Sequence, residues 1–312
     1  MTSAEGSVLV VGDLIVDVRI ETDEATARGE EVEGRITFGG GGSAANQATW
    51  LASLGVDVRF VGRVGCDSSG DALCDELEAH GIGVHVKRDS EHPTGTVAAL
   101  IDQDGERSLI TSRGANAHFQ VSDVPHELWD GVDLLVVTGY LFTRSSICSA
   151  GRSLLAEANR RGVPFALDPA SARLLASFPG QRDFLEWTQG AEWCFPNSSE
   201  ARALGRAPDD ESAARSLLRS YKGVAVTGRN GCTVATSSTV HFEPAATRAR
   251  VVDATGAGDA FAAGFLAARL RSGSLPVSVS DLPALARAGL DLADRALSIP
   301  GARPPLPRHH GD

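Results

Sequence analysis

The stretch Asp253-Ala254-Thr255-Gly256-Ala257-Gly258-Asp259 stands directly before a helical pattern over residues 260–270. Its glycines permit a tight turn, and the backbone N–H groups of residues 256–258 at a helix start form an anion-binding site. The charge of Asp259 opposes a bound anion, so its presence is explained if it takes a proton from a hydroxyl group that attacks the anion. The alternative is that Asp259 only caps the helix.

Upstream of this loop, apolar runs alternate with helical patterns. The runs lack a polar face, which is typical of strands buried on both sides in a parallel sheet. Predicted strands lie at residues 8–11, 58–61, 134–137, 165–167 and 224–227. Predicted helices lie at residues 44–54, 71–80, 146–161, 211–220, 257–270 and 282–296. This alternation predicts an array of βαβ units, and therefore an α/β fold with a mostly parallel sheet.

Two segments interrupt the alternation, at residues 17–38 and 94–112. The first is charged and contains short alternating stretches. The second predicts a hairpin, with strands at 97–102 and 107–111 joined across Asp104-Gly105. We expect both segments to form a small β-sheet lid within a single domain that spans residues 1–312.

Composition excludes several classes of protein. The 312 residues include 40 acidic and 29 basic side chains, and the net charge of −11 argues against nucleic acids and anionic membranes as partners. No apolar run reaches the roughly 18 residues that a membrane span requires. Five scattered cysteines contain no C-x-x-C pair, so the sequence predicts free thiols and a cytoplasmic location rather than zinc sites or disulfides.

A second glycine-rich stretch, Gly39-Gly40-Gly41-Gly42-Ser43-Ala44-Ala45-Asn46, precedes the first long helix. Small residues there allow a ligand to approach the helix start, and the same glycines permit a hinge. Asp13 and Asp17 follow the first strand, at the edge where open α/β sheets bind ligands. Their carboxylates suit sugar hydroxyl groups, and the alternative for each is a turn residue.

Four stretches form an ordered set along the chain: residues 41–47, residues 62–70 (G-x-x-G-x-D-x-x-G), Asn197-Ser198-Ser199-Glu200 after Pro196, and residues 253–259. In this order they resemble the signatures of the ribokinase-like (PfkB-type) carbohydrate kinases. The resemblance extends over nearly the full chain. It implies a ribokinase-like, Rossmann-like αβα sandwich with a β-sheet lid, and transfer of the γ-phosphate of ATP to a hydroxymethyl group of a sugar.

The resemblance also assigns roles to individual residues. It implies Asp259 as the catalytic base and an anion hole of Gly256, Ala257 and Gly258. The residues implied for the acceptor are Asp13, Asp17, Gly42, Ser43 and Asn46. Those implied for metals are Asn197 and Glu200 for Mg²⁺ through water, and Asp253 and Thr255 for a monovalent cation such as K⁺. Those implied for ATP are Thr227, Gly228, Gly231, Gly256 and Gly258.

Two departures from the family pattern bear on the acceptor. Ser43 stands where ribokinases proper tend to have lysine, and Ile15 stands where asparagine is frequent. Both changes remove polarity or charge from the acceptor pocket and argue against ribose itself. A nucleoside acceptor, of adenosine or pseudouridine type, is the alternative, although an aromatic content of 5% favours a sugar.

Two other classes of protein are less well supported. A nicotinamide-dependent oxidoreductase would carry G-x-G-x-x-G after the first strand, and this sequence does not. A non-catalytic binding protein on the same scaffold would have no use for Asp259 within the anion loop. An open edge of the lid would permit a homodimer.

Overall fold

The apolar run near the start of the chain forms the centre of the fold in the computed structural model. Val8 and Val10 pack into one hydrophobic core, while Leu9 and Val11 pack into a second core on the opposite face. This is the arrangement of a strand covered by helices on both sides. The structure describes residues 6–22, 29, 31–101, 107–178, 180–246, 251–273 and 278–306.

Every strand predicted from the sequence is present, together with several that were not predicted. The strands are β1 (Ser7–Val11), β2 (Ile15–Thr22), β3 (Gly34–Gly41), β4 (Asp57–Gly65), β5 (Gly83–Asp89), β6 (Gly95–Ile101), β7 (Arg107–Ser112), β8 (Leu134–Thr138), β9 (Phe165–Asp168), β10 (Trp193–Cys194), β11 (Gly223–Gly228), β12 (Gly231–Thr236) and β13 (Val240–Pro244).

Nine of these strands form the main sheet, in the order β13-β12-β11-β10-β9-β8-β1-β4-β5. The seven neighbouring strands β11, β10, β9, β8, β1, β4 and β5 are parallel to one another. The strands β12 and β13 extend the sheet beyond β11 with antiparallel pairing. The predicted mostly parallel sheet is therefore confirmed. At its carboxyl edge, where ligands bind in open α/β sheets, Asp168 is the last residue of β9, while Asp13 and Asn197 follow β1 and β10.

Helices cover both faces of the main sheet, which confirms the predicted αβα sandwich. They are α1 (Ser43–Ser53), α2 (Ser68–Ala79), α3 (Ser145–Arg161), α4 (Ala172–Ser177), α5 (Gln181–Trp187), α6 (Ser198–Gly205), α7 (Asp210–Leu217), α8 (Ala257–Ser272) and α9 (Leu282–Leu297). Residues of α1, α2, α8 and α9 share one core, and those of α3, α5, α6 and α7 share the other. No helix in the described ranges is long and apolar enough to cross a membrane.

The two segments that interrupt the alternation form a separate small sheet, in the order β3-β2-β6-β7. The hairpin of β6 and β7 is present, while its expected turn at Asp104-Gly105 lies outside the described residues. Gly39, Gly40 and Gly41 belong to β3 and pair with β2. These three glycines are therefore strand residues in this structure, and the hinge expected at residues 39–42 stays a prediction.

The G-x-x-G-x-D-x-x-G stretch joins the small sheet to the main sheet. Asp67 caps α2 through the N–H of Gly70 at 2.8 Å, and it also accepts from Thr94, at 2.8 Å from N and 2.6 Å from Oγ1. Burial alone would raise the pKa of Asp67, but these hydrogen bonds lower it. Thr94 immediately precedes β6, so this carboxylate fixes the base of the small sheet.

Candidate active site

The predicted anion loop leads into α8 through a left-handed turn that glycine permits. Gly256 has φ 75°, and a Cβ there would lie 2.6 Å from the carbonyl oxygen of Ala302. Gly258 lies in the first turn of α8, where an added Cβ would meet no atom within 4 Å. The helix start is therefore open to a ligand at Gly258, and the helix dipole favours an anion there.

Asp259 follows in the same turn and is 9% exposed. Ser43 donates from Oγ to its Oδ1 at 2.6 Å, and Asn46 donates from Nδ2 to its Oδ2 at 2.9 Å. Burial raises the pKa of Asp259, and the hydrogen bonds from Ser43, Asn46 and Gln47 oppose that rise. Its side chain thus binds α1, and no side chain caps the N-terminus of α8, so the helix-cap alternative is wrong.

The contacts of Ser43 and Asn46 give them a role that the sequence did not indicate. Both were expected to bind the acceptor, and the structure places both against Asp259. Gln47, which was missed, lies 3.4 Å from Asp259 Oδ1 and 3.4 Å from an oxygen of Asp168 through its Nε2 atom. The spacing of Ser43 and Gln47 on one helix face was the available signal. The first turns of α1 therefore orient the carboxylate.

Three carboxyl groups influence one another at this edge of the sheet: Asp168, Glu200 and Asp259. Burial raises the pKa of Glu200 to about 7, and the charge of Asp259 adds to the rise. Burial also raises the pKa of Asp168, with Glu200 and Asp259 contributing. Asp168 is half-buried, so solvent in the cleft moderates its rise. Asp168 was missed, although its place directly after a predicted strand is the signal used for Asp13.

Asn197 and Glu200 form a reciprocal cap at the start of α6. Asn197 Oδ1 accepts from the N–H of Glu200 at 3.0 Å, and Glu200 Oε2 accepts from the N–H of Asn197 at 2.9 Å. No group of three or more His, Cys, Asp or Glu side chains in the described residues is placed to hold a metal directly. The buried carboxylates nevertheless present hard oxygen atoms and unbalanced charge, which fits Mg²⁺ held through water.

Asp13 reaches the carboxyl edge but is already paired. It is 4% exposed and forms an ion pair with Arg113, which is 9% exposed. Burial lowers the pKa of Arg113 to about 10, and its guanidinium carbon lies 4.3 Å from the ring centre of Tyr140. The charge of Asp13 is therefore balanced within the protein.

Asp17 and the second glycine stretch lie together next to the small sheet. Asp17 is half-buried on β2, and a Cβ on Gly41 would lie 2.8 Å from its carboxyl carbon. Arg303, which was missed, donates from Nη2 to the carbonyl oxygen of Gly41 at 2.8 Å and from Nε to Asn46 Oδ1 at 3.2 Å. A Cβ on Gly42 would lie 2.2 Å from the carbonyl oxygen of Asp13, so only glycine allows this approach.

Three of the residues expected to bind ATP, Thr227, Gly228 and Gly231, lie where β11 ends and β12 begins. Thr227 accepts through its carbonyl oxygen from Ser198 Oγ at 3.2 Å, which links β11 to the start of α6. Gly228 pairs with Gly231 across the turn. Gly231 has φ 145°, and a Cβ there would lie 2.2 Å from the carbonyl oxygen of Glu243. Close packing against β13 therefore accounts for this glycine, and its expected role in ATP binding is not needed to explain it.

Asp253 precedes the anion loop and is 3% exposed. Its Oδ1 accepts from Thr255 N at 2.9 Å and from Thr255 Oγ1 at 2.7 Å, and its Oδ2 accepts from Gly301 N at 3.1 Å. The same Oδ2 forms an ion pair with Arg19 of β2. A monovalent cation at Asp253 and Thr255 would share the carboxylate with a guanidinium that repels it, so the residues present do not fit that cation.

The family model for pfkB family carbohydrate kinases matches residues 5–308. The chain belongs to this family. An ATP-dependent ribose-1-phosphate kinase of Halopiger xanaduensis is 32% identical over 271 residues, which cover 86% of each chain. A ribokinase of Bacillus subtilis is 27% identical over 84% of this chain and 85% of its own length.

The family and the fold agree with solved structures. The crystal structure of an adenosine kinase from Sinorhizobium meliloti superposes with a TM-score of 0.83 and 26% identity, covering 96% of each chain. The predicted resemblance and the ribokinase-like fold are thus confirmed. As a pfkB carbohydrate kinase, the protein is a phosphotransferase with an alcohol group as acceptor, of sugar or nucleoside type.

Proposed function

We propose that the protein transfers the γ-phosphate of ATP to the hydroxymethyl group of a pentose-containing sugar. One observation carries this proposal: the buried carboxylate of Asp259 lies in the first turn of α8, at the helix start suited to an anion. Three side chains of α1 donate hydrogen bonds to this carboxylate. The relatives named for ribose 1-phosphate and ribose support a pentose. The solved adenosine kinase favours a nucleoside as the second candidate.

The proposed reaction uses Asp259 as the base. Its ionised carboxylate takes the proton of the acceptor hydroxyl while that oxygen bonds to the γ-phosphorus, and the bond from phosphorus to the leaving ADP oxygen breaks. Backbone N–H groups of Gly256, Ala257 and Gly258 stabilise the charge on the transferred group. Ser43 and Asn46 hold Asp259 in place. Asn197 and Glu200 would hold Mg²⁺ through water, and the ion would supply positive charge to the phosphate groups.

We assign the acceptor to the side of the site next to the small sheet. Asp17 is the half-buried carboxylate there, and paired acceptance by its two oxygens suits neighbouring sugar hydroxyl groups. Gly42 allows close approach at the start of α1. Asp13 contributes to the acceptor site as the partner of Arg113 in an ion pair. ATP lies toward Thr227 and Gly228, at the far end of the same edge.

The apparent affinity for Mg²⁺ should rise about tenfold between pH 6 and pH 8. A pKa of about 7 means that the Glu200 carboxyl group is mostly protonated at the lower pH and mostly ionised at the higher one. Only the ionised form attracts the hydrated cation. The measurement is calorimetric titration of Mg²⁺ into protein with a non-hydrolysable ATP analogue, at pH 6, 7 and 8.

Protonation of the nucleotide itself also varies over this range, so variants separate the two effects. In Glu200→Gln, only protonation of the nucleotide still changes the Mg²⁺ affinity with pH. The affinity of this variant should therefore vary much less between pH 6 and pH 8. Glu211→Gln, at an exposed position on α7, should match the wild type. A slope that persists unchanged in Glu200→Gln would contradict the role of Glu200.

We also propose that the small sheet acts as a lid over the acceptor and that its outer face joins two copies of the chain. Phe38 and Ile36 on β3 are 74% and 56% exposed, and Ile110 on β7, which the strand register places on the same face, is 65% exposed. Exposed apolar side chains on short strands favour pairing with another protein surface. A second copy presents the same face.

Phe38→Asp should weaken the dimer by at least about 10-fold, because both copies lose a phenylalanine and burial of each contributes roughly 1.5 to 3 kcal/mol. Sedimentation analysis of a concentration series measures this change. Phe242→Asp is the matched control, since Phe242 is 55% exposed on β13 of the main sheet. A monomeric wild type, or equal weakening by both variants, would show that this face does not form the dimer.

A coupled ADP-release assay over ribose, ribose 1-phosphate, adenosine, pseudouridine and fructose tests the function. We expect turnover with at least one pentose-containing acceptor and none with its analogue that lacks the hydroxymethyl oxygen. Turnover with nucleosides alone would select the second candidate. No turnover with any acceptor, from protein that binds ATP, would refute the proposal.

A further inference from the structure

Asp253 creates an electrostatic problem for the anion loop. Its carboxylate is almost fully buried and lies three residues before Gly256, where the loop begins to present its N–H groups. A buried negative charge at this place repels the phosphate groups that the loop binds. Buried charges require a partner of opposite sign, and the loop itself offers only backbone dipoles and the Thr255 hydroxyl.

Arg19 supplies the missing positive charge from a distant part of the sequence. It extends from β2 of the small sheet, and its guanidinium contacts Oδ2 of Asp253, a residue 234 positions later in the sequence. Glu21 accepts from its Nε at 2.6 Å and forms a second ion pair with the same guanidinium. The Glu21 side chain is 36% exposed, so water screens its charge far more than it screens that of Asp253. The Arg19 side chain is 30% exposed and the Asp253 side chain 2%. The ion pair is therefore buried at Asp253 and partly exposed to solvent at Arg19.

We propose that the guanidinium of Arg19 is the permanent counter-charge of the anion loop and takes the place of a monovalent cation. The protein would then bind ATP and transfer phosphate equally well with or without K⁺ or Na⁺. This inference rests on the proposed function, because it assigns the loop to phosphate. It concerns Arg19 as a positioning residue, since Arg19 acts through Asp253 and does not contact the reacting atoms.

The hydrogen bonds of Asp253 explain how Arg19 influences the anion loop without touching it. Asp253 holds the N–H of Thr255 on one oxygen and the N–H of Gly301 on the other, so it fixes the loop and the segment near the chain end in one arrangement. Arg19 balances the charge while leaving these hydrogen bonds in place. Without the guanidinium, the oxygen it contacts becomes available to a small cation. K⁺ should then restore what the arginine provided.

The experiment compares wild type with Arg19→Gln, Arg19→Lys and Arg35→Gln, in tetramethylammonium chloride or KCl at equal ionic strength. Arg35 is the matched control because it is an exposed arginine on the neighbouring strand β3. The first readout is the Kd of a non-hydrolysable ATP analogue with Mg²⁺, measured by calorimetry. The second is the Tm of the protein without ligands, which needs no acceptor and no turnover.

For the wild type and Arg35→Gln, we expect the same Kd and the same Tm in both salts. Arg19→Gln should bind the analogue about tenfold more weakly in tetramethylammonium, as expected for loss of one charged hydrogen bond at a partly exposed site. KCl should restore its affinity in a saturable manner and raise its Tm. Arg19→Lys keeps the charge and should stay close to wild type.

Three results would overturn the inference. The first is a wild type whose Kd or Tm improves specifically with K⁺, the second is an Arg19→Gln variant with unchanged affinity, and the third is a loss of affinity that K⁺ does not restore. These outcomes are separate from failure of the proposed function, which would appear as absence of acceptor phosphorylation while the binding and melting measurements still report on Arg19.

Discussion

Replacing Asp259 by asparagine should lower turnover about 10²- to 10⁴-fold, the range typical of a lost general base. The amide has nearly the same shape but cannot take the proton of the acceptor hydroxyl. Ser43 can still donate to the remaining oxygen, whereas Asn46 loses its acceptor, so the site keeps most of its geometry. Turnover is measured with saturating ATP and the acceptor identified in the assay panel.

Stability should not fall with activity in this variant. Burial raises the pKa of Asp259, which means that the native fold disfavours its charge, and the amide removes that charge. We therefore expect an unchanged or higher Tm. Asp75→Asn, at an exposed position on α2, is the matched control and should keep wild-type turnover. An Asp259→Asn variant that turns over at a near-normal rate would remove Asp259 from the chemistry.

The central strands of the main sheet could be predicted because strands that are buried on both faces consist of apolar residues throughout. Residues 8–11 are continuously apolar since both faces are covered, and the same is true of residues 134–137. The strand β13 was missed for the opposite reason. It lies at the sheet edge, half-exposed, and alternates polar and apolar residues over only five positions. Alternation is the pattern of a half-buried strand, so a sequence signal was present, but five residues carry only a weak one.

The candidate site divides in a similar way. The anion loop and Asp259 could be predicted because their roles depend on residues that are neighbours in sequence. Asp168 had a local signal as well, since it directly follows a predicted strand. Arg113 and Arg303 had none, because each acts through contacts with residues far away in the chain.

The same limitation applies to Asp253. Its sequence context is that of the family signature, which implies a cation site. The partner that it has in the fold lies 234 residues away on the small sheet. The ion pair between Asp253 and Arg19 can be recognised only once the fold has brought the anion loop and β2 together. The monovalent-cation expectation was therefore reasonable from the motif and does not fit the residues that surround it.

Gly258→Ala should reduce turnover about 10²- to 10³-fold, the effect typical of disturbing one donor of an oxyanion site. The added methyl group meets no protein atom within 4 Å, so the fold accommodates it. It extends instead into the open space at the start of α8, which we assign to the transferred phosphoryl group. Alanine also favours helix more than glycine does, so the Tm should rise slightly. Loss of activity would thus accompany gain of stability.

Gly264→Ala on the same helix gives the contrast that makes this test decisive. There an added Cβ would lie 2.5 Å from the carbonyl oxygen of Ala288 on α9, so the two helices must separate. We expect a lower Tm, with turnover per folded molecule close to wild type because Gly264 is remote from the loop. The measurements are Tm by calorimetry and turnover at saturating substrates. If Gly258→Ala retained full turnover with its fold intact, the space before α8 would not hold the transferred phosphoryl group, and the anion hole would have to lie elsewhere.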